Sequence, residues 1–184
     1  MGQEKQDRGV TDVFKLTILG PGISYEKSIG HMQTLYLRGF VSIGFAYSYS
    51  SSFGSEASVG FYPATTLQYR YYYNSLKRMA KGKRTEMNSM NYLAGIDELF
   101  FTKVHLYYQD KTEDHWEAVN RIGIAWGIQR NYAKRFSIDA NVGLGYLFTK
   151  HTYWDETGNP YTENQENLTL LGRVSIGFWL NKKK

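Results

Sequence analysis

Hydrophobic and polar residues alternate with period two along most of this chain, the pattern of β-strands whose two faces meet different surroundings. From Phe136 to Phe148 the even positions are Phe136, Ile138, Ala140, Val142, Leu144, Tyr146 and Phe148. The odd positions are Ser137, Asp139, Asn141, Gly143, Gly145 and the exceptional Leu147. A helix would mix these two sets on each of its faces. Ile122, Ile124, Trp126 and Ile128 repeat the pattern against Arg121, Gly123, Ala125, Gly127 and Gln129. Three more stretches do the same: Thr34 to Tyr49 (with Tyr36 and Phe40 as exceptions), Ser58 to Asn74, and Leu168 to Leu180.

Two regions are less regular. Phe14, Leu16 and Ile18 alternate on even positions, and after Gly20-Pro21-Gly22 the apolar set moves to the odd Ile23, Tyr25 and Ile29. A change of phase needs a turn or a bulge, so two strands are expected to meet at this motif, with one kinked strand as the alternative. Between Tyr92 and Tyr108 the even register carries Tyr92, Ile96, Phe100, Val104 and Leu106 but also Glu98, which leaves its outward face undecided. The connection Asn131–Arg135 reads as a tight turn. Lys150–Asn167, Tyr107–Glu117 and Ser48–Ala57 read as loops at the opposite end.

The polar face decides what kind of strand protein this is. A soluble barrel would fill that face with Lys and Glu, whereas here it holds mainly Gly, Ala, Ser, Thr and Asn opposite large Ile, Leu, Val, Phe, Trp and Tyr. Small residues suit a crowded interior and large apolar ones a lipid-facing band. The expected fold is therefore all-β: a closed antiparallel up-and-down transmembrane β-barrel of eight strands spanning residues 12–181, between a polar tail (1–11) and a basic tail (182–184). The 184 residues suffice for eight spans, and the aromatic content of 16% fits membrane interfaces. No apolar run is long enough for a transmembrane helix, a test that says nothing of barrels. The expected location is a bacterial outer membrane, and the polar N-terminus leads us to expect a mature form whose signal peptide has been removed.

A few charges interrupt the small-residue face. Lys15, Glu26, Arg38, Arg70, Asp97, Arg121, Asp139 and Arg173 are expected to point into the lumen and to pair or meet water there, closing a plug rather than a pore. The net charge of +5 comes largely from one segment, Asn74 to Met90, where Lys77, Arg78, Lys81, Lys83 and Arg84 face the single acid Glu86. It reads as a turn-end insert lying at a membrane surface or against a partner, or else as a solvated loop, with Gly82 interrupting any helix; nucleic acid is not an expected partner.

The segments GISYEKSI, TLQYRYYYN and IAWGIQRNYAKRFSIDANVGLGY resemble the small outer-membrane β-barrel families of the Bacteroidota. Tyr25-Glu26, Tyr69-Arg70-Tyr71-Tyr72 and Phe136-Ser137-Ile138-Asp139 occupy the places those families' motifs hold. The resemblance implies an eight-stranded outer-membrane barrel and no particular activity. The end of the chain departs from it: Phe178 and Trp179 are followed by Leu180, Asn181 and three lysines, where such proteins commonly finish on an aromatic residue.

No phosphate-binding glycine loop, zinc spacing or nucleophile elbow is present, and no cofactor or metal is expected. His115 beside Asp114, or His151 near Asp155, with Ser50, Ser51 or Ser52, would be the raw material of a lipid-modifying enzyme, but nothing in their spacing forces them together. The expected role is thus non-enzymatic: a structural or accessory part of the outer membrane, in contact with its lipid or with a larger outer-membrane complex. A lipid-modifying enzyme and a narrow channel are the alternatives. Tyr153, Trp154 and Tyr161 are expected in an interfacial aromatic belt.

Overall fold

Alternation becomes backbone pairing in a computed structural model that describes residues 9–50, 54–108, 111–154 and 160–181; side chains are described over 9–42, 60–102, 116–150, 153 and 161–181. Eight strands follow one another: β1 (Val13–Thr17), β2 (Gly22–Gly30), β3 (Gln33–Ser50), β4 (Gly54–Tyr71), β5 (Asn91–Tyr108), β6 (Lys111–Asn131), β7 (Phe136–Trp154) and β8 (Pro160–Trp179). Each pairs antiparallel with the next, and β1 pairs with β8, so one up-and-down sheet closes in a ring. Among the described residues no helix is long and apolar enough to cross a membrane.

Gly20-Pro21-Gly22 marks a turn between two strands, with Gly20 at a φ of 64°. A left-handed residue at that point is easiest as glycine, and the Arg38 guanidinium presses against it. The seam between β1 and β8 is short. It joins Lys15 to Trp179, Leu16 to Phe178 and Thr17 to Gly177. Asn181 extends it, its side chain accepting from the Phe14 amide (2.9 Å) and donating to the Asp12 carbonyl (2.8 Å).

The strands are strongly tilted. Following the register from Lys15 through Ser24, Arg38, Thr66, Glu98, Arg121 and Leu147 leads to Asn167 on β8, yet β8 meets Lys15 at Trp179. Such a stagger is what closure of a twisted sheet requires.

Three connections differ from expectation. Lys150–Asn167, Tyr107–Glu117 and Ser48–Ala57 are mostly strand: His151 pairs with Glu163, Val104 with His115 and Ser48 with Glu56. These stretches lose clean alternation without losing backbone pairing. The turn Asn131–Arg135 is as expected, with Arg135 left-handed at a φ of 69° and its amide bonded to the Tyr132 carbonyl (3.0 Å).

The connection between β4 and β5 folds over one end of the ring. It contains the helix α1 (Ser75–Ala80) and a single 3-10 turn (Glu86–Asn88). α1 stops at Lys81, and Gly82 follows with a φ of 63°, as its permissive backbone allows. Asn88, Ser89 and Met90 are buried. Asn88 exchanges hydrogen bonds with the backbone of Thr11 (2.8 Å each), Arg84 Nε donates to the Asn131 carbonyl (2.8 Å), and Asn131 Nδ2 donates to the Met87 carbonyl. The segment is a floor, tied to the N-terminal stretch and to β6.

Candidate functional site: a charged interior and a basic rim

The two faces of the sheet are inverted relative to a water-soluble fold. Glu26, Arg70 and Gln129 are fully buried inside the ring, while outside Ile124 is 74% and Leu170 72% exposed. Lys15, Glu26, Arg38, Arg70, Arg121, Asp139 and Arg173 all point inward, as their place in the alternation requires.

Near the floor these groups form one network. Arg70 Nη1 donates to Asp139 Oδ2 (2.9 Å) and to Gln129 Oε1 (2.8 Å), and Lys15 Nζ donates to the same Gln129 oxygen (2.6 Å). Gln129 Nε2 then donates to Glu26 Oε2 (3.0 Å). Tyr72 and Thr34 hydroxyls donate to Glu26 Oε1 (2.5 and 2.7 Å), and Tyr92 donates to Asp139 Oδ1 (2.7 Å). Two cations thus meet two carboxylates, bridged by an amide. Arg70 is also sandwiched between the rings of Tyr36 (3.8 Å) and Tyr92 (4.3 Å), which supports the Nη2 that has no hydrogen-bond partner. Gly127 makes room for this: a Cβ there would lie 2.2 Å from the Tyr92 ring.

Farther from the floor the balance changes. Glu98 accepts from Arg121 (2.9 Å) and Arg173 (3.3 Å), and Arg38 donates to the Gly20 carbonyl (2.5 Å) and the Thr17 hydroxyl (3.1 Å). Arg38 stacks on Phe40 and Arg121 on Phe100. The exceptions Tyr36 and Phe40 are therefore partners of interior arginines. Gln129, Tyr72 and Tyr92 were not singled out from sequence, although Tyr36 had already broken the alternation of β3.

Asp97 is a correction. It is exposed on the outer wall and accepts a hydrogen bond from Asn120 Nδ2 (2.6 Å). β5 turns Tyr92, Ala94, Ile96 and Glu98 inward, because that phase brings Glu98 to Arg121 and Arg173 and Tyr92 to Asp139. Leu93 and Phe101 then face outward with Asp97.

On the basic segment, Arg84 pairs with Glu86 (2.8 Å), while Arg78 bonds the Arg84 carbonyl through Nε and Nη2 (3.2 and 3.0 Å). Burial pulls Arg78 below the ordinary arginine range. Lys77, Arg78, Lys81 and Lys83 line a 330 Å³ cleft with Tyr73, Asn74, Asn91 and Arg130.

His115 and His151 lie in β6 and β7, their backbones paired with Val104 and Glu163; the side chains of Ser50, Asp114, His115 and His151, and Ser51, Ser52 and Asp155 altogether, lie outside the described residues. Among the described residues no group of His, Asp and Glu is arranged to hold a metal ion. Tyr153 and Tyr161 stack (5.6 Å between centroids) near the end of the β7–β8 hairpin. Comparison with known proteins adds no relative: no family model, curated protein or solved structure matches the chain.

Proposed function

We propose that this chain is a bacterial outer-membrane β-barrel whose filled, charge-compensated interior makes it a structural or accessory component of the membrane or of a larger outer-membrane complex. The observation that carries this reading is the inversion of the two faces. A continuous band of exposed Leu, Ile, Val, Phe, Tyr and Trp surrounds an interior holding Arg70, Glu26, Lys15 and Asp139. Water would penalise that band, since apolar surface of this extent marks a lipid or protein contact. In lipid the same band is favourable, and a closed ring leaves no strand edge unpaired.

Several features fit the reading. Trp126 Nε1 donates to the Tyr73 hydroxyl (2.7 Å) on the outer face near the turn end, and Trp116 and Tyr146 lie toward the other end. Aromatic residues at both borders suit the two interfaces. The turn Asn131–Arg135 and the β4–β5 floor then face the periplasm, and the long hairpins of β3–β4, β5–β6 and β7–β8 the exterior. The packed network around Arg70 favours a plug over a channel.

Spin labels test the reading. Cysteines replacing Ile124 and Leu144 are labelled with a nitroxide and the protein is placed in phosphatidylcholine vesicles. Lipid-facing labels collide with oxygen and are shielded from a water-soluble nickel chelate. Labels open to the chelate at both sites would overturn the membrane reading.

A further inference from the structure

The basic cleft does not stand alone. Its wall residues are Tyr73, just past β4, with Asn91 on β5 and Arg130 on β6; Tyr71 and Leu93 are the next outward positions above the first two, and Trp126 stands two outward positions above Arg130. Those three open a second depression of 570 Å³, lined by apolar surface that continues through Tyr69, Ile124 and Leu144. Its bottom is Gly95, where a Cβ would meet nothing within 4 Å. A cation-rich cleft and an apolar groove therefore run end to end on the outer wall of β4, β5 and β6, at the border where Trp126 and Tyr73 are joined.

Among the described residues the charges of the cleft have no carboxylate partner. Arg130 is held by neutral acceptors only: the Met90 and Gln129 carbonyls (2.9 and 2.7 Å) and Asn91 Oδ1 (2.7 Å). Arg78 is held by the Arg84 carbonyl. These bonds fix both guanidiniums in place without neutralising them. Lys77, Lys81 and Lys83 add three exposed ammonium groups, and among the described residues no carboxylate lines the cleft. Glu86, the acid of the segment, is engaged by Arg84. Five cations converging without a counter-charge are costly unless an anion joins them.

We propose that the cleft and groove together bind one anionic phospholipid, its phosphate among Lys77, Arg78, Lys81, Lys83 and Arg130 and an acyl chain along Tyr71, Leu93, Gly95 and Ile124. The inference rests on the membrane reading above. A free phosphate would satisfy the cleft but leave the groove without an occupant; a neutral lipid would fill the groove and leave the charges unmatched. The floor segment then gains a purpose that closing the ring does not require, because it brings α1 out over the edge of the wall.

Native mass spectrometry of the detergent-solubilised protein tests this, with dioleoylphosphatidylglycerol, dioleoylphosphatidylcholine and inorganic phosphate as separate probes. One phosphatidylglycerol should be retained at least about tenfold more tightly than phosphatidylcholine, a difference of about 1.4 kcal/mol or more. The variant Lys77→Gln/Lys81→Gln/Lys83→Gln changes only exposed side chains and should lose that preference. Gly95→Leu fills the groove and should weaken phosphatidylglycerol while leaving phosphate binding unchanged. Equal retention of the two lipids, a lysine variant that binds like the parent, or phosphate binding as tight as the lipid would overturn the proposal. A failure here with shielded labels at Ile124 and Leu144 removes the lipid site alone; open labels remove the membrane reading beneath it.

Discussion

Asp139 and Asp97 are both mid-strand carboxylates, and the ring treats them in opposite ways. Asp139 lies inside among Arg70, Lys15 and Tyr92, with both oxygens engaged. Asp97 lies outside beside Leu67 and Ile122, its cross-strand neighbours, and receives one hydrogen bond from Asn120. The interior removes water and replaces it with fixed donors, so charge there is matched group by group. The outer wall offers Asp97 one amide and otherwise apolar surface. A β-strand in a closed ring carries two environments one residue apart, and the same side chain stabilises one and burdens the other.

Breaking the interior arrangement should have the largest effect. Asp139→Ala leaves Arg70 and Lys15 facing each other without their shared acid. Removing one partner of a buried ion pair costs about 3–5 kcal/mol. Urea unfolding of the folded protein in detergent should move by that amount; a shift no larger than that of a surface substitution would mean that water reaches the site. Glu98→Gln tests the layer farther from the floor. Arg121 there retains 26% side-chain exposure, so solvent can take over part of the lost interaction. We expect a loss of about 1.5 kcal/mol, the lower end of the range for hydrogen bonds to charged groups.

Asp97→Leu sharpens the comparison because the sign itself is predicted. On a lipid-facing wall the substitution should stabilise the folded state in vesicles by about 1 kcal/mol, since an acid there costs less than the 2–4 kcal/mol of a basic residue at midplane. Were Asp97 directed into the lumen, the same change would destabilise.

The smallest effect concerns Asp12. Its carboxyl is held below the ordinary range first by the hydrogen bond from Lys27 (2.7 Å), helped by the Ser28 amide and Tyr25. A depressed carboxylate contributes stability that is fully present above its unfolded pKa of about 4 and is lost as pH falls through the lower folded value. Asp12→Asn should therefore slightly lower stability at neutral pH and flatten the acid limb of the stability profile. The pair is partly exposed and solvent-screened, so a large change would point to a role beyond this contact.

Alternation by itself determined most of the strands and which of their faces carries the apolar residues. Five stretches have one face too small or polar, and the other too apolar, to be exchanged, so Arg38, Arg70, Arg121, Asp139 and Arg173 could be placed inside before any contact was known. The turn at Gly20 was legible because the phase changes across it. The phase of β5 was not, since Asp97 and Glu98 give each register one carboxylate and both registers carry large apolar residues. Only the approach of Arg121 and Arg173 from β6 and β8 decides between them. The hairpin ends of β7 and β8 look like loop in the sequence because His151 and Glu163 belong to no two-sided pattern, yet backbone pairing continues through them without needing one. The register at which β1 meets β8, the amide bridge at Gln129 and the alignment of cleft with groove belong to tertiary structure alone. They depend on the stagger between strands, which alternation along one strand does not encode.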